Sequence, residues 1–349
     1  MGNRIRVNAG AGYDVVIDGG LLAKAGELAA PVLKGSRTAL FTDSTVAPLY
    51  ADLLEEKLQQ AGFQTCRFVY EAGERSKNMD TVVSFLDFMA ASDLTRKDAV
   101  VVLGGGVAGD MGGFAASIYQ RGISFIQIPT TILAAVDSSV GGKTGVDAKY
   151  GKNLTGTFWQ PSLVLCDTDT LQSLSENEIM DGYAEVIKSA AIRDSELFRG
   201  LEEGRFRTSL PEVIAGCVRI KSDVVSEDER ESGVRRILNF GHTMAHSIEL
   251  KSEYRISHGR AVAIGMLMVT KASEEHGLTK KGTYDRLYAL ISGEGYQTET
   301  EIPLEELCEA ARHDKKTDGD SIHIVYLDRI GQAKTHRVKL TELYDFYHV

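Results

Sequence analysis

The stretch DAVVVLGGG, Asp98 to Gly106, followed at once by VAGDMGGFAASIYQRG, Val107 to Gly122, decides the fold. A wholly apolar, β-branched run that ends in three glycines reads as a buried strand, and the small and apolar residues after it read as a helix. Gly104, Gly106 and Gly109 satisfy G-x-G-x-x-G at this junction, where bare backbone and unpaired helix N–H groups suit a phosphate. The match is formal, because the acidic ribose partner expected about twenty residues further on is replaced by ISFIQIPTT. Tight packing of strand against helix is the competing explanation for these glycines.

Outward from this unit the pattern repeats. RTALFTDSTV (Arg37 to Val46) is a buried strand ending in a polar turn, and APLYADLLEEKLQQAG (Ala47 to Gly62) has the 3.6-residue period with a glycine stop. QTCRFVY, the amphipathic MDTVVSFLDFMAAS and the strand ISFIQIPTT continue the alternation. Strands alternating with helices imply right-handed crossovers and a parallel sheet covered on both faces, so the expected fold class is α/β with a Rossmann-like N-terminal domain. Polar sites in such sheets gather at the carboxyl ends of strands, where Asp43, the glycines, Thr130 and Thr131 fall. Asp43 could take the place of the missing ribose acid.

From Ser175 the character changes. Ser175 and Glu178 form an S-x-x-E capping pattern, and helical periodicity then dominates to about residue 312. SIHIVYLDRIG reads as a hairpin strand, and TELYDFY as a final helix. The expected organisation is therefore a domain over residues 1–174 and a mainly helical domain over residues 175–349.

Composition excludes several classes of function. No apolar run approaches the length of a membrane span, and the start, MGNRIRVNAGAGYDVV, has no apolar signal core, so a cytoplasmic protein is expected. Cys66, Cys166, Cys217 and Cys308 stand apart without a C-x-x-C pair, which argues against a zinc ribbon or a disulfide framework. The formal charge of −10 disfavours nucleic acid. An anionic ligand must therefore be drawn by local clusters of Lys and Arg. One such cluster lies in DSSVGGKTGVDAKYGKN, residues 137–153, a polar, glycine-rich run with Lys143, Lys149 and Lys152 that reads as a functional loop.

The segment NFGHTMAHSIE, Asn239 to Glu249, followed by SHGRAVAIGM from Ser257, brings three histidines together. His242 and His246 are one helical turn apart, and His258 follows closely. His242, His258 and a carboxylate would make a catalytic zinc set with an open position, leaving His246 for hydrogen bonding or proton transfer. A core role fits each histidine singly. In DGYAEVIK, Glu185 and Lys188 share one helix face, which alone describes a routine surface ion pair.

Taken in order, GGGVAGDMGGFAASIYQRG, IPTTILAAVDSSVGGKTGVD, GKNLTGTF, DGYAEVIK, SEDERESGVRRILNFGHT and HGRAVAIGM resemble the 3-dehydroquinate synthase family over nearly the whole chain. The resemblance implies an NAD- and metal-dependent lyase, a homodimer, with Zn2+ or Co2+ held by Glu185, His242 and His258. It implies that Lys143, Asn153, Lys188, Lys221, Glu231, Arg235, Asn239 and His246 surround a sugar phosphate, with Arg121 and Lys315 reaching its phosphate, the arginine from across the dimer. NAD would lie against Asp43, Glu74, Lys77, the loop Gly105, Gly106, Val107, Gly109 and Asp110, then Thr130, Thr131, Lys143, Lys152 and the turn Thr170, Leu171, Ser173. Asp137 would sit near the nicotinamide. The chain departs from the family pattern at Arg260, Ala245 and Gln172, where Glu, Gly and Lys are usual, and this leaves room for a cyclase of another sugar phosphate. A metal-dependent polyol dehydrogenase and an NAD-binding regulatory protein are the rival readings.

Overall fold

Val100, Val101 and Val102 lie fully buried in the middle of a seven-stranded sheet, in a computed structural model that describes residues 3–149, 151–312 and 317–349. The chain divides into two units, Met1–Ser175 with Lys221–Arg230, and Glu176–Ile220 with Glu231–Val349. The first unit runs β1 (Asn3–Val7), β2 (Tyr13–Asp18), α1 (Ala25–Ala29), β3 (Arg37–Asp43), α2 (Asp52–Gln60), β4 (Gln64–Tyr70), α3 (Met79–Ala91), β5 (Ala99–Gly104), α4 (Gly106–Ile118) and β6 (Ser124–Pro129). It continues with β7 (Lys143–Ala148), β8 (Gly151–Phe158) and β9 (Leu163–Asp167). The sheet order is β1-β2-β9-β6-β5-β3-β4, with β1 antiparallel to β2 and every other neighbouring pair parallel.

Side chains alternate across a strand, so a sheet covered on both faces needs apolar residues at every position. The central strands show this. Ala99, Val101 and Leu103 of β5 join Leu40 of β3 in one apolar core, while Val100 and Val102 join Ala39 and Phe41 in the core on the other face. From β3 the chain moves outward to β4 and then returns to the opposite side of β3 as β5, so the order reverses between β3 and β5. A crevice at the carboxyl ends of two such strands is where an α/β sheet binds ligands.

Residues 137–153, expected as a loop, are largely a hairpin. β7 pairs antiparallel with β8, with a bulge between Val146 and Ala148. Val146 is buried in the core beneath α4, and the Thr144 hydroxyl donates to the Thr157 carbonyl at 3.0 Å. Most of the pairing partners of this polar strand, Thr155 to Phe158, lie beyond residue 153, so its ladder is invisible from local composition.

The second unit contains α5 (Glu176–Arg193), α6 (Ser195–Glu202), α7 (Arg205–Thr208), the start of α8 (Leu210–Glu227), α9 (His242–Lys251), α10 (His258–Glu275), α11 (Thr283–Gly293) and α12 (Leu304–Ala311). β10 (Thr317–Asp318), β11 (Ser321–Arg329), β12 (Gln332–Lys339) and α13 (Leu343–Tyr347) follow, the strands forming an antiparallel sheet. α5 and α10 are buried around most of their circumference, as Val186, Ile187, Ala190, Val262, Ala263 and Ile264 show, which marks them as central helices. The C-terminal end of α8 belongs to the first unit. There the Ser222 hydroxyl donates to the Arg6 carbonyl at 3.1 Å, and Glu229 accepts from Gln160 Nε2 at 2.9 Å. No helix among the described residues is long and apolar enough to cross a membrane.

Candidate active site

In the first unit, the reversal between β3 and β5 brings Asp43 beside the glycine turn. Asp43 ends β3, is buried, and accepts from the Thr45 and Val46 amides through Oδ1, both at 2.9 Å. Its other oxygen, Oδ2, lies 3.4 Å from where a Cβ on Gly104 would stand. Gly105 caps α4, so the amides of Gly106 and Val107 belong to the first turn, whose N–H groups have no intrahelical acceptor. A Cβ on Gly109 would fall 2.0 Å from Gln127 Nε2. The glycine therefore serves close packing of helix on sheet, the competing explanation given above for this motif.

Charged groups surround this crevice. Lys77 is buried and reaches Asp110 of α4 at 2.7 Å. Burial works against its charge, but Asp110, Glu74 and Asp147 outweigh it, so the Lys77 pKa is raised and the ammonium is held. Lys152 pairs with Glu74 at 3.3 Å. Thr130 donates its amide to the Gly104 carbonyl at 3.0 Å, and the Thr131 hydroxyl caps the next turn at the Ala134 amide. In the turn after β9, the Thr170 hydroxyl donates to the Asp167 carbonyl, the Ser173 hydroxyl donates to the Thr170 carbonyl, and Leu171 is buried.

Lys221 is largely buried, and its ammonium donates both to the Asp137 carbonyl oxygen at 2.5 Å and to the Asp137 carboxylate. Asn153, in β8 with φ +54°, donates its amide to the Asp147 carboxylate at 2.8 Å. Lys143 opens β7 with an exposed side chain, and Arg121 follows α4 at φ +66°, also exposed. Lys315 lies outside the described residues.

In the second unit, Glu185, His242 and His258 each offer a ligand atom within 4.8 Å of the others. Glu185 Oε1 faces His242 Nε2 at 3.4 Å and His258 Nε2 at 3.3 Å. Both rings are held from behind. His242 Nδ1 meets the Phe240 carbonyl at 3.0 Å, and His258 Nδ1 meets Glu249 Oε2 at 3.2 Å. Two imidazole nitrogens and a carboxylate oxygen, each histidine oriented through its far nitrogen, are the donor set and the outer support of a catalytic divalent-metal site. In the ligand-free ring of His258, burial opposes the positive charge, but Glu185 and Glu249 outweigh it and raise the pKa to about 10. An incoming cation therefore displaces a proton.

The Glu185–Lys188 pair is not the surface ion pair that its spacing describes. Lys188 contacts Glu185 Oε2, and both side chains are wholly buried. Asp181, one turn before Glu185 on α5, accepts from the Ser257 hydroxyl at 2.5 Å and the Gly259 amide at 3.0 Å, and so anchors the start of α10 that carries His258. A Cβ on Gly259 would lie 2.4 Å from the Asp181 Cα and backbone oxygen. His246 is half-buried with its ring 5.6 Å from that of His242, Arg235 is buried, and the Asn239 amide donates to Glu231 at 2.5 Å. Neither Asp181 nor Glu249 was singled out from the sequence. Asp181 lies within DGYAEVIK, but its partners are some eighty residues away, and Glu249 has no spacing signal to His258.

Two family models match the chain, 3-dehydroquinate synthase N-terminal over residues 67–181 and 3-dehydroquinate synthase C-terminal over residues 182–317. The 3-dehydroquinate synthase of Enterococcus faecalis is 44% identical over 340 residues, covering 96% of this chain and 95% of that protein. Among solved structures, the 2-epi-5-epi-valiolone synthase of Streptomyces hygroscopicus subsp. jinggangensis, with NAD+ and Zn2+ bound, superposes with a TM-score of 0.85 at 29% identity, over 96% of this chain and 95% of that one. A 2-deoxy-scyllo-inosose synthase in complex with carbaglucose-6-phosphate, NAD+ and Co2+ shares the fold, with a TM-score of 0.89 at 24% identity over 99% and 100% of the two chains. Matched along both halves by models of one family and by a relative at this identity over nearly its full length, the chain belongs to the 3-dehydroquinate synthase family.

Proposed function

We propose that the chain converts 3-deoxy-D-arabino-heptulosonate 7-phosphate to 3-dehydroquinate and phosphate, using NAD and one divalent cation, Zn2+ or Co2+. The observation that carries the metal half is the triad of Glu185, His242 and His258 with both histidines fixed through Nδ1. Relatives named as 3-dehydroquinate synthases support the choice of substrate. In this reading residues 1–174 form the nucleotide half and residues 175–349 the metal half, with Lys221–Arg230 working on the nucleotide side.

NAD would supply a hydride acceptor that later returns the hydride, and the cation would polarise substrate hydroxyls and lower their pKa. The residues of the chain do the rest. Asp43 would receive the adenosine ribose, and the α4 N-terminus with Thr130 and Thr131 the pyrophosphate, while Glu74, Lys77 and Lys152 order the rim through their ion pairs. Lys221, fixed by Asp137, presents a localised positive charge where negative charge develops on the substrate. Lys188, buried beside Glu185, would offer its ammonium to an enolate oxygen. Arg235, Asn239 and His246 would hold substrate oxygens, the last two being partly open to receive them. Lys143, Asn153, Arg121 and Lys315 would contact the substrate's carboxylate and phosphate ends, with Arg121 contributed across a homodimer.

Incubation with the heptulosonate phosphate, Zn2+ and catalytic NAD tests the assignment. Phosphate release without accumulation of NADH is expected. Stoichiometric NADH would instead indicate a polyol dehydrogenase, and NAD binding without turnover or retained metal a binding protein. Sedimentation of the purified protein checks the dimer.

A further inference from the structure

We infer that Glu249 is a positioning residue for His258, selecting through Nδ1 which ring nitrogen is presented to Glu185. The inference rests on the reading of Glu185, His242 and His258 as ligands of one cation. Three observations carry it. Glu249 stands seven residues after His242 on α9, two turns along, so both project from one face of that helix. Its side chain is buried, with only 7% of its surface exposed, where an ionised carboxylate is costly unless it is paired. The His258 ring lies between two carboxylates, Nδ1 at 3.2 Å from Glu249 and Nε2 at 3.3 Å from Glu185.

The consequence is chemical. A neutral imidazole has one N–H and one lone pair, and their placement follows the hydrogen bond that the ring makes. With Nδ1–H donated to Glu249, the lone pair is on Nε2 and points toward Glu185 and His242. The negative charge behind the ring also makes Nε2 a stronger donor to a cation. The two histidines differ in this respect. His242 is held by the Phe240 main chain, which no side-chain substitution removes, whereas the support of His258 is a single carboxylate.

The experiment uses full-length protein stripped of metal with a chelator and titrated back with Zn2+ against a chromophoric competitor. Glu249→Ala is expected to bind Zn2+ about 10–100-fold more weakly, the range found when such outer partners are lost. Glu249→Gln, whose side-chain carbonyl still accepts from Nδ1–H, is expected to fall between this variant and the native protein. The visible spectrum of the Co2+-loaded alanine variant is expected to shift as the ring loses its fixed orientation. Native Zn2+ affinity and an unchanged Co2+ spectrum in Glu249→Ala would overturn the inference. So would a lower melting temperature of the metal-free protein accompanied by a native metal-induced increase. If the alanine variant does not fold, Glu249→Gln decides alone, and native affinity overturns the inference. His258→Ala run in parallel separates the two levels: if it too retains metal, the ligand assignment itself has failed, and if it alone loses metal, only the role of Glu249 has.

Discussion

Replacing Glu185 with Gln tests the electrostatics of the second unit without reference to turnover. The native carboxylate faces two imidazoles through one oxygen and the Lys188 ammonium through the other, and neither Glu185 nor Lys188 reaches solvent. Glu185→Gln keeps the shape and an acceptor oxygen but deletes the negative charge that faces the buried Lys188 ammonium. Removing one member of a buried ion pair costs about 3–5 kcal/mol. Because the amide still accepts a hydrogen bond, the lower end, about 3 kcal/mol, applies. For a unit of this size a loss of 1 kcal/mol lowers the midpoint by about 2–4 °C, so a fall of roughly 6–12 °C is expected. The assay is thermal melting of protein held metal-free by a chelator, which isolates the ion pair from any contribution of a bound cation. Adding Lys188→Met to Glu185→Gln removes the second charge of the pair and should recover most of the loss, because eliminating both charges of a buried pair is often close to neutral. A Glu185→Gln midpoint within about 1 °C of the native value, well inside the expected fall, would refute the reasoning.

Three further outcomes follow from the geometry. Gly259→Ala places a methyl group 2.4 Å from the Asp181 backbone, so α10 must shift off α5; a loss of about 1–3 kcal/mol in urea unfolding is expected, together with weaker Zn2+ retention. Lys221→Met removes the cation that Asp137 holds, and kcat should fall by about 10²–10³ while the NAD dissociation constant stays near native, read by phosphate release and calorimetry respectively. Asp43→Asn preserves an acceptor for the Thr45 and Val46 amides but loses the charge offered to a ribose, so NAD affinity should drop by about tenfold or more with an unchanged melting temperature.

The parts of this protein that were legible in the sequence are those whose signal is local. β5 and α4 announce themselves because a strand buried on both faces is apolar at every position, and the glycines after it stop the strand where the helix begins. The three histidines are legible because α9 and α10 follow one another, so short spacings survive in space. Pairings between distant segments were not legible. β7 and β8 carry polar and glycine residues that suit a loop equally well, and only the ladder between them makes the hairpin. The spacing of Glu185 and Lys188 describes their contact correctly but says nothing of the helices that bury it. Lys221 meets Asp137 across eighty-four positions, and no periodicity encodes such a meeting. Asp181 and Glu249 are illegible for the same reason: an acid on a helix becomes a support only when its histidine or helix end arrives from elsewhere.

The placement of Asp181 and Glu185 on adjacent turns of α5 has a consequence for how this centre tolerates change. One turn grips the first residues of the helix bearing His258, and the next supplies the oxygen that the ring faces. Small displacements of α5 therefore drag imidazole and carboxylate along together, and the spacing between them is conserved while the surroundings drift.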